Sequence, residues 1–168
     1  MPRACPWVST QKNYSVKDIH ILYNGAGVAI SFKKYGLYKY LESKDVDYKK
    51  YISKRLLPDD AIYVIANNHF YILEVKSQRG TGSVDEKLQT CDFKIKQYRK
   101  LLSSLNVEVE FIYILSDWFK KPEYKDTLDY IISISGCSYY FNYLPLQKLG
   151  LPVPKLREGK PPRFLLRG

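Results

Sequence analysis

The sequence predicts a mixed α/β sandwich of the α+β kind, with an antiparallel hairpin at its centre. Three observations carry that expectation. Two β-rich runs, Ala61 to Ala66 and Phe70 to Lys76, are separated only by Asn67, Asn68 and His69. A basic amphipathic helix pattern follows the second run, and a further strand pattern, Val107 to Leu115, follows the helix.

In chain order, residues 1–14 are polar and irregular and read as an arm. Residues 15–43 mix signals: Ile19, Ile21 and Leu22 precede YNGAGVAI and then FKKYGLYKYLE. Gly25, Gly27 and Gly36 interrupt any long helix, so short helices and turns are expected there. The NGAG run lacks the flanking strand and the Gly-Lys-Ser/Thr ending of a phosphate loop. Tyr48 to Leu57 reads as a strand of mixed charge. The hairpin comes next, its Asn-Asn pair tolerating the positive φ that tight turns require.

After the RGTGS break, Ser83 with Glu86 gives a capping-box start. Val84, Leu88, Cys91, Ile95, Tyr98 and Leu102 recur in alternating steps of four and three, one apolar stripe on a helix. Lys87, Lys94, Lys96, Arg99 and Lys100 are assigned to the opposite face. Pro122 fits a helix first turn, continued by Tyr124, Leu128 and Ile131 or Ile132. Ser138 to Leu144 reads as a last strand, and from Gly150 to residue 168 a proline-rich basic tail is expected.

The chain of 168 residues favours one domain, residues 1–168, with a core over 48–144. Its hydrophobic fraction of 45% and charged fraction of 26% are those of a folded chain rather than a disordered one. The net charge of +10 favours a polyanionic partner, nucleic acid before an anionic membrane surface. No run approaches the ~20 apolar residues of a membrane span, and MPRACPWVST lacks a secretory pattern. Three cysteines at unrelated spacings argue against a disulfide framework or a zinc site. A reducing, cytoplasmic location is expected.

Candidate chemistry lies in the hairpin. Side chains alternate along a strand, so Glu74, Lys76 and Gln78 share a face and Val75 points to the other. If the hairpin closes on a two-residue Asn67–Asn68 turn, residue 76 lies opposite 59 and 74 opposite 61. Asp59, Glu74 and Lys76 then converge. A three-residue loop including His69 shifts the register by one and brings in Asp60 instead. The two-residue turn, and with it Asp59, is the favoured reading. Two carboxylates close together repel each other unless a cation lies between them, and hard oxygen ligands suit Mg²⁺. A lysine beside them can orient a water or stabilise charge growing on a phosphate, which completes the parts for phosphodiester hydrolysis. The bland alternative is that Asp59 and Asp60 are turn residues and Glu74 with Lys76 is a surface pair. For the helix lysines, the plainer alternative to phosphate contact is a solvated face.

Pro58-Asp59-Asp60 and Glu74-Val75-Lys76 resemble the PD-(D/E)xK signature of the restriction-endonuclease-like nucleases. The segment GTGSVDEKLQTCDFKIKQYRKLL is similar to the helix that follows in some type II restriction endonucleases. The resemblance runs from about Tyr48 to Asn142. It implies a restriction-endonuclease-like sandwich, a mixed central sheet whose catalytic hairpin is flanked by helices. It also implies that Asp59, Glu74 and the Val75 carbonyl bind Mg²⁺, with Asp60 as the alternative to Asp59, and that Lys76 serves the water. Gln78 matches a further polar catalytic position, and Glu42 is the nearest candidate for an acidic residue on the first helix. The implied activity is cleavage of double-stranded DNA, most like a type II restriction enzyme, by a homodimer or paired subunit. A junction resolvase or repair nuclease is the near alternative, and a non-catalytic DNA-binding module the alternative of another class.

Overall fold

A computed structural model of the chain describes residues 11–79 and 82–154. Within these residues seven strands form one sheet in the order β1 to β7: Tyr14–Lys17, His20–Tyr23, Ala26–Phe32, Asp60–Val64, His69–Lys76, Glu108–Leu115 and Cys137–Phe141. Pairing is antiparallel from β1 through β5 and parallel from β5 through β7. Among the described residues four α-helices accompany it: α1 Gly36–Ser43, α2 Val84–Leu88, α3 Cys91–Leu102 and α4 Lys125–Ser133. The molecule is therefore mixed α/β with a mixed sheet.

The N-terminal third departs from the sequence expectation. Where turns and short helices were expected before α1, three strands form and extend the sheet from residue 14. The reason is local: Asn24 and Gly25 both take positive φ, 50° and 82°. That is the pattern of a type I′ hairpin turn, for which Asn-Gly is the strongest short signal. The expected strand over Tyr48–Leu57 is absent. Tyr48–Lys50 forms a 3-10 turn, capped by Asp47 accepting the Lys49 N–H at 3.0 Å. Its apolar residues Tyr48, Ile52 and Leu56 recur every four positions, which is no strand period. The Tyr38 hydroxyl fastens this segment, donating to the Leu56 carbonyl and accepting from the Leu56 N–H, both at 2.8 Å.

The expected long helix divides into α2 and α3 at Gln89–Thr90, and Ser83 makes no capping hydrogen bond. The stripe survives the break: Leu88, Cys91, Ile95, Tyr98 and Leu102 are all buried. Strand β6 and the helix after Pro122 follow the expected pattern, with Ile131 buried and Ile132 exposed.

The helices gather on one face of the sheet. Leu37, Leu41, Ile95, Tyr98, Leu128 and Ile131 pack there against Phe32, Phe70, Ile72 and Phe111. The other face, with Ile62, Tyr71, Leu73, Ile112 and Ile114, is covered by Leu144, Leu146, Leu149 and Leu151. Among the described residues the α-helices lie on one face of the hairpin, and the other is covered by the segment that holds the short 3-10 helix Leu146–Leu149. Strand β5 is buried on both faces from Phe70 to Glu74, so its N–H and C=O groups go to β4 and β6 and its side chains to two cores. The expected arm and tail fall largely on residues 1–10 and 155–168, outside the described residues.

Candidate active site

The hairpin closes on neither of the expected turns. Val64 pairs with His69, so the connection is the four residues 65–68, and Asp60 pairs with Leu73. Asn68 takes φ 54°, while the Asn67 side chain accepts the His69 N–H at 3.2 Å. Tyr63 and Asn68 hold the turn with a hydrogen bond of 2.9 Å. The register differs by two residues from the two-residue-turn reading. A shift of two preserves the face of every side chain, whereas the one-residue shift of the other reading would have inverted it.

Continuing the ladder by one residue puts Asp59 across from Glu74. Asp59 sits on the Ala61 side of β4, facing the helices, and its Oδ2 accepts the Val75 N–H at 2.9 Å. The phenol of Tyr98 on α3 is pushed up first by burial and then by the charges of Glu74, Tyr38 and Asp59. Asp60 points the other way. It is only 9% exposed and accepts from Ser31 Oγ at 2.9 Å on the opposite face.

Glu74 is 8% exposed and held by two ammonium groups. Lys76 Nζ lies 3.1 Å from its Oε2. Lys94 Nζ reaches across from α3 to both oxygens, at 2.9 and 2.8 Å. The Lys94 assignment to the solvent face is therefore corrected. Lys94 lies three residues after Cys91 and four before Tyr98, which places it beside the buried stripe rather than opposite it. Its ammonium also lies 5.8 and 5.9 Å from the rings of Phe111 and Tyr113.

Aromatic rings lie around the lysine that holds Glu74. Burial, and secondarily the Glu74 charge, pushes the Tyr98 and Tyr113 phenols far above their ordinary range, so both remain neutral donors. The Tyr113 hydroxyl donates to the Lys87 carbonyl at 3.2 Å, tying β6 to α2. Gln78 lies just past β5. Its N–H donates to Ser116 Oγ and its Nε2 to the Gly82 carbonyl, both at 3.4 Å.

The other basic residues differ in their engagement. Lys96 pairs with Asp92 at 2.7 Å, and Arg99 donates to the Ser135 carbonyl at 3.1 Å. Lys87 and Lys100 are exposed and make no ion pair with the described residues. Glu42 lines a shallow opening of about 410 Å³ with Tyr38, Asp45, Asp47 and Arg55, to which β5 contributes nothing.

Among the described residues no group of three or more His, Cys, Asp or Glu side chains gathers at one point. On the helix side the end of the hairpin offers two carboxylates, Glu74 held by two lysines and Asp59 exposed, and the Val75 carbonyl directly follows Glu74 in sequence. Mg²⁺ commonly takes one or two protein carboxylates and keeps several waters, so this donor set suits it. In the geometry present, Lys76 and Lys94 balance Asp59 and Glu74, and the site carries no net charge. No helix among the described residues is long and apolar enough to cross a membrane. No family model, curated protein or solved structure matches the chain.

Proposed function

We propose that the chain is a Mg²⁺-dependent endodeoxyribonuclease of the PD-(D/E)xK kind, built on a restriction-endonuclease-like core and acting on double-stranded DNA. One observation carries the reading: Asp59, the residue just before β4, accepts the Val75 N–H at 2.9 Å beside Glu74, whose Oε2 lies 3.1 Å from Lys76 Nζ. Asp59, Glu74 and the Val75 carbonyl would hold the metal ion, which would polarise a phosphate oxygen and acidify a bound water. The residues of the chain do the rest. Lys76 orients the attacking water and meets charge growing on the phosphate. The Asp59 carboxylate, fixed by the Val75 N–H, keeps its position at the strand end. Lys87 and Lys100, with Lys96 and Arg99 beside them, supply phosphate contacts along the duplex. Tyr98 and Tyr113 exclude water behind Glu74. Cutting both strands needs two such sites, hence a homodimer or paired subunit. A type II restriction enzyme is favoured over a junction resolvase.

The test is supercoiled-plasmid cleavage with Mg²⁺, alongside EDTA and Lys76→Ala. Discrete linear fragments that disappear in both controls are expected. Cleavage confined to branched DNA would select the resolvase. Salt-sensitive DNA retention without cleavage would select the second reading, a non-catalytic DNA-binding module. That reading is favoured by the full neutralisation of Glu74 by two lysines.

A further inference from the structure

A carboxylate that is to bind a metal ion is usually not already matched by cations. Glu74 is matched by two. Both of its oxygens accept from Lys94, and Oε2 is shared with Lys76. The three charges lie where burial weakens solvent screening, so the pairs are stronger than they would be at the surface. Lys76 is on the same strand, two residues away, and cannot move far from Glu74. Lys94 is on α3, a separate element from β5, so its ammonium leaves Glu74 without disturbing the strand, although both side chains are exposed to nearly the same extent, 20% and 22%.

We propose that Lys94 is the internal counter-ion of the metal site. Its ammonium neutralises Glu74 while no divalent cation is bound, and it must withdraw from the carboxylate before the cation can take those oxygens. The inference rests on the reading of Glu74 as a metal ligand. It adds a positioning residue on the helix, outside the hairpin signature, and a consequence for how metal and DNA cooperate. An ammonium displaced from Glu74 is a free cation beside the site, and a DNA phosphate is its natural partner. Duplex binding therefore competes for Lys94 and frees Glu74, so DNA and metal each raise the affinity for the other, by linkage to the same extent. Without DNA, metal binding is weakened by the need to displace Lys94.

The experiment is direct titration of the DNA-free protein with Mn²⁺, followed by the paramagnetic signal of the free ion. Wild type, Lys94→Met, Lys94→Gln and the double variant Lys94→Met with Glu74→Gln are compared, and circular dichroism checks folding. Lys94→Met and Lys94→Gln are expected to bind Mn²⁺ more tightly than wild type, by about tenfold, a typical coupling for a switch of this kind. The double variant is expected to lose the gain. Damage to the fold would move affinity the other way, so a tightening is not explained by a structural role for Lys94. Lys94→Gln keeps a hydrogen-bond donor to Glu74 while removing the charge, which guards against collapse of the Met variant. Equal or weaker binding by both single variants, with wild type still binding, would overturn the counter-ion role and leave the metal site standing. Failure of every protein to bind Mn²⁺ would overturn the metal site together with it.

Discussion

Two carboxylates in this hairpin are buried to nearly the same degree, Glu74 at 8% and Asp60 at 9% exposure, and they lie on opposite faces of the sheet. Glu74 faces the helices and is met by two ammonium groups. Asp60 faces the segment around Leu144 to Leu151 and is met by the Ser31 hydroxyl. Burial alone would flag both as functional. Position separates them: Glu74 stands at the strand end next to Asp59, with one ammonium delivered from a separate helix, whereas Asp60 lies on the other face, away from both lysines. Asp59 and Asp60 are neighbours in sequence, yet alternation along β4 sends one to each face.

The largest expected effect comes from exchanging these neighbours. Asp59→Asn keeps an oxygen to accept the Val75 N–H, so stability should change little, while plasmid cleavage should fall by about 10²- to 10⁴-fold, the usual weight of one catalytic group. Asp60→Ala removes an acceptor from the buried Ser31 hydroxyl and should cost about 2 kcal/mol in urea unfolding, with cleavage retained at temperatures where the variant is folded. The reverse outcome, activity lost with Asp60 and kept without Asp59, would assign the metal to the other face.

Much of this comparison was legible in the sequence, for identifiable reasons. The face of Asp59 followed from strand alternation, which survives a register error of two residues. The register itself did not, because Ile65 and Ala66 look like strand residues and nothing in their side chains says that they turn. The strands before α1 were signalled by Asn24-Gly25, but glycines that forbid a long helix also drew attention from the hairpin they permit. The role of Lys94 was encoded in its spacing from Cys91 and Tyr98. Treating every lysine of a basic helix as solvated hid it, although a long side chain beside an apolar stripe can lay its stem inward and deliver its charge to a buried acid.

A smaller effect sharpens the difference between the two faces. Burial raises the phenols of Tyr98 and Tyr113 on the helix side and of Tyr14 on the other side above their ordinary value of 10.0. For Tyr98 and Tyr113 the second cause is the Glu74 charge; for Tyr14 it is Tyr23. A raised phenol means that the folded chain keeps a proton which the unfolded chain releases above pH 10. Stability should therefore be flat with respect to these groups below pH 10 and fall as pH rises past it. Glu74→Gln should move the Tyr98 and Tyr113 titrations back toward 10 and leave Tyr14 unmoved, read by ultraviolet difference titration. An equal shift at all three tyrosines would mean that the substitution had loosened the whole fold rather than removed one charge.

The smallest effects concern the basic face of α2 and α3, where the residues are alike in charge and unlike in engagement. Affinity for a duplex falls with salt in proportion to the phosphates neutralised, and each lost contact lowers the slope of log Kd against log salt by about one. Lys87→Ala and Lys100→Ala remove cations that pair with none of the described acids, so each should lower the slope by that amount. Lys96 already faces Asp92 at 2.7 Å, an exposed helical pair of little energetic worth but of opposite sign. A phosphate gains less from a cation whose charge is partly cancelled, so Lys96→Ala should lower the slope by less than one. Arg99 is tethered to the Ser135 carbonyl and keeps its full charge, and it should fall between the two. Equal slopes for all four variants would show that the duplex senses only the net charge of this face, and that the individual pairings on α3 do not bear on how DNA is held.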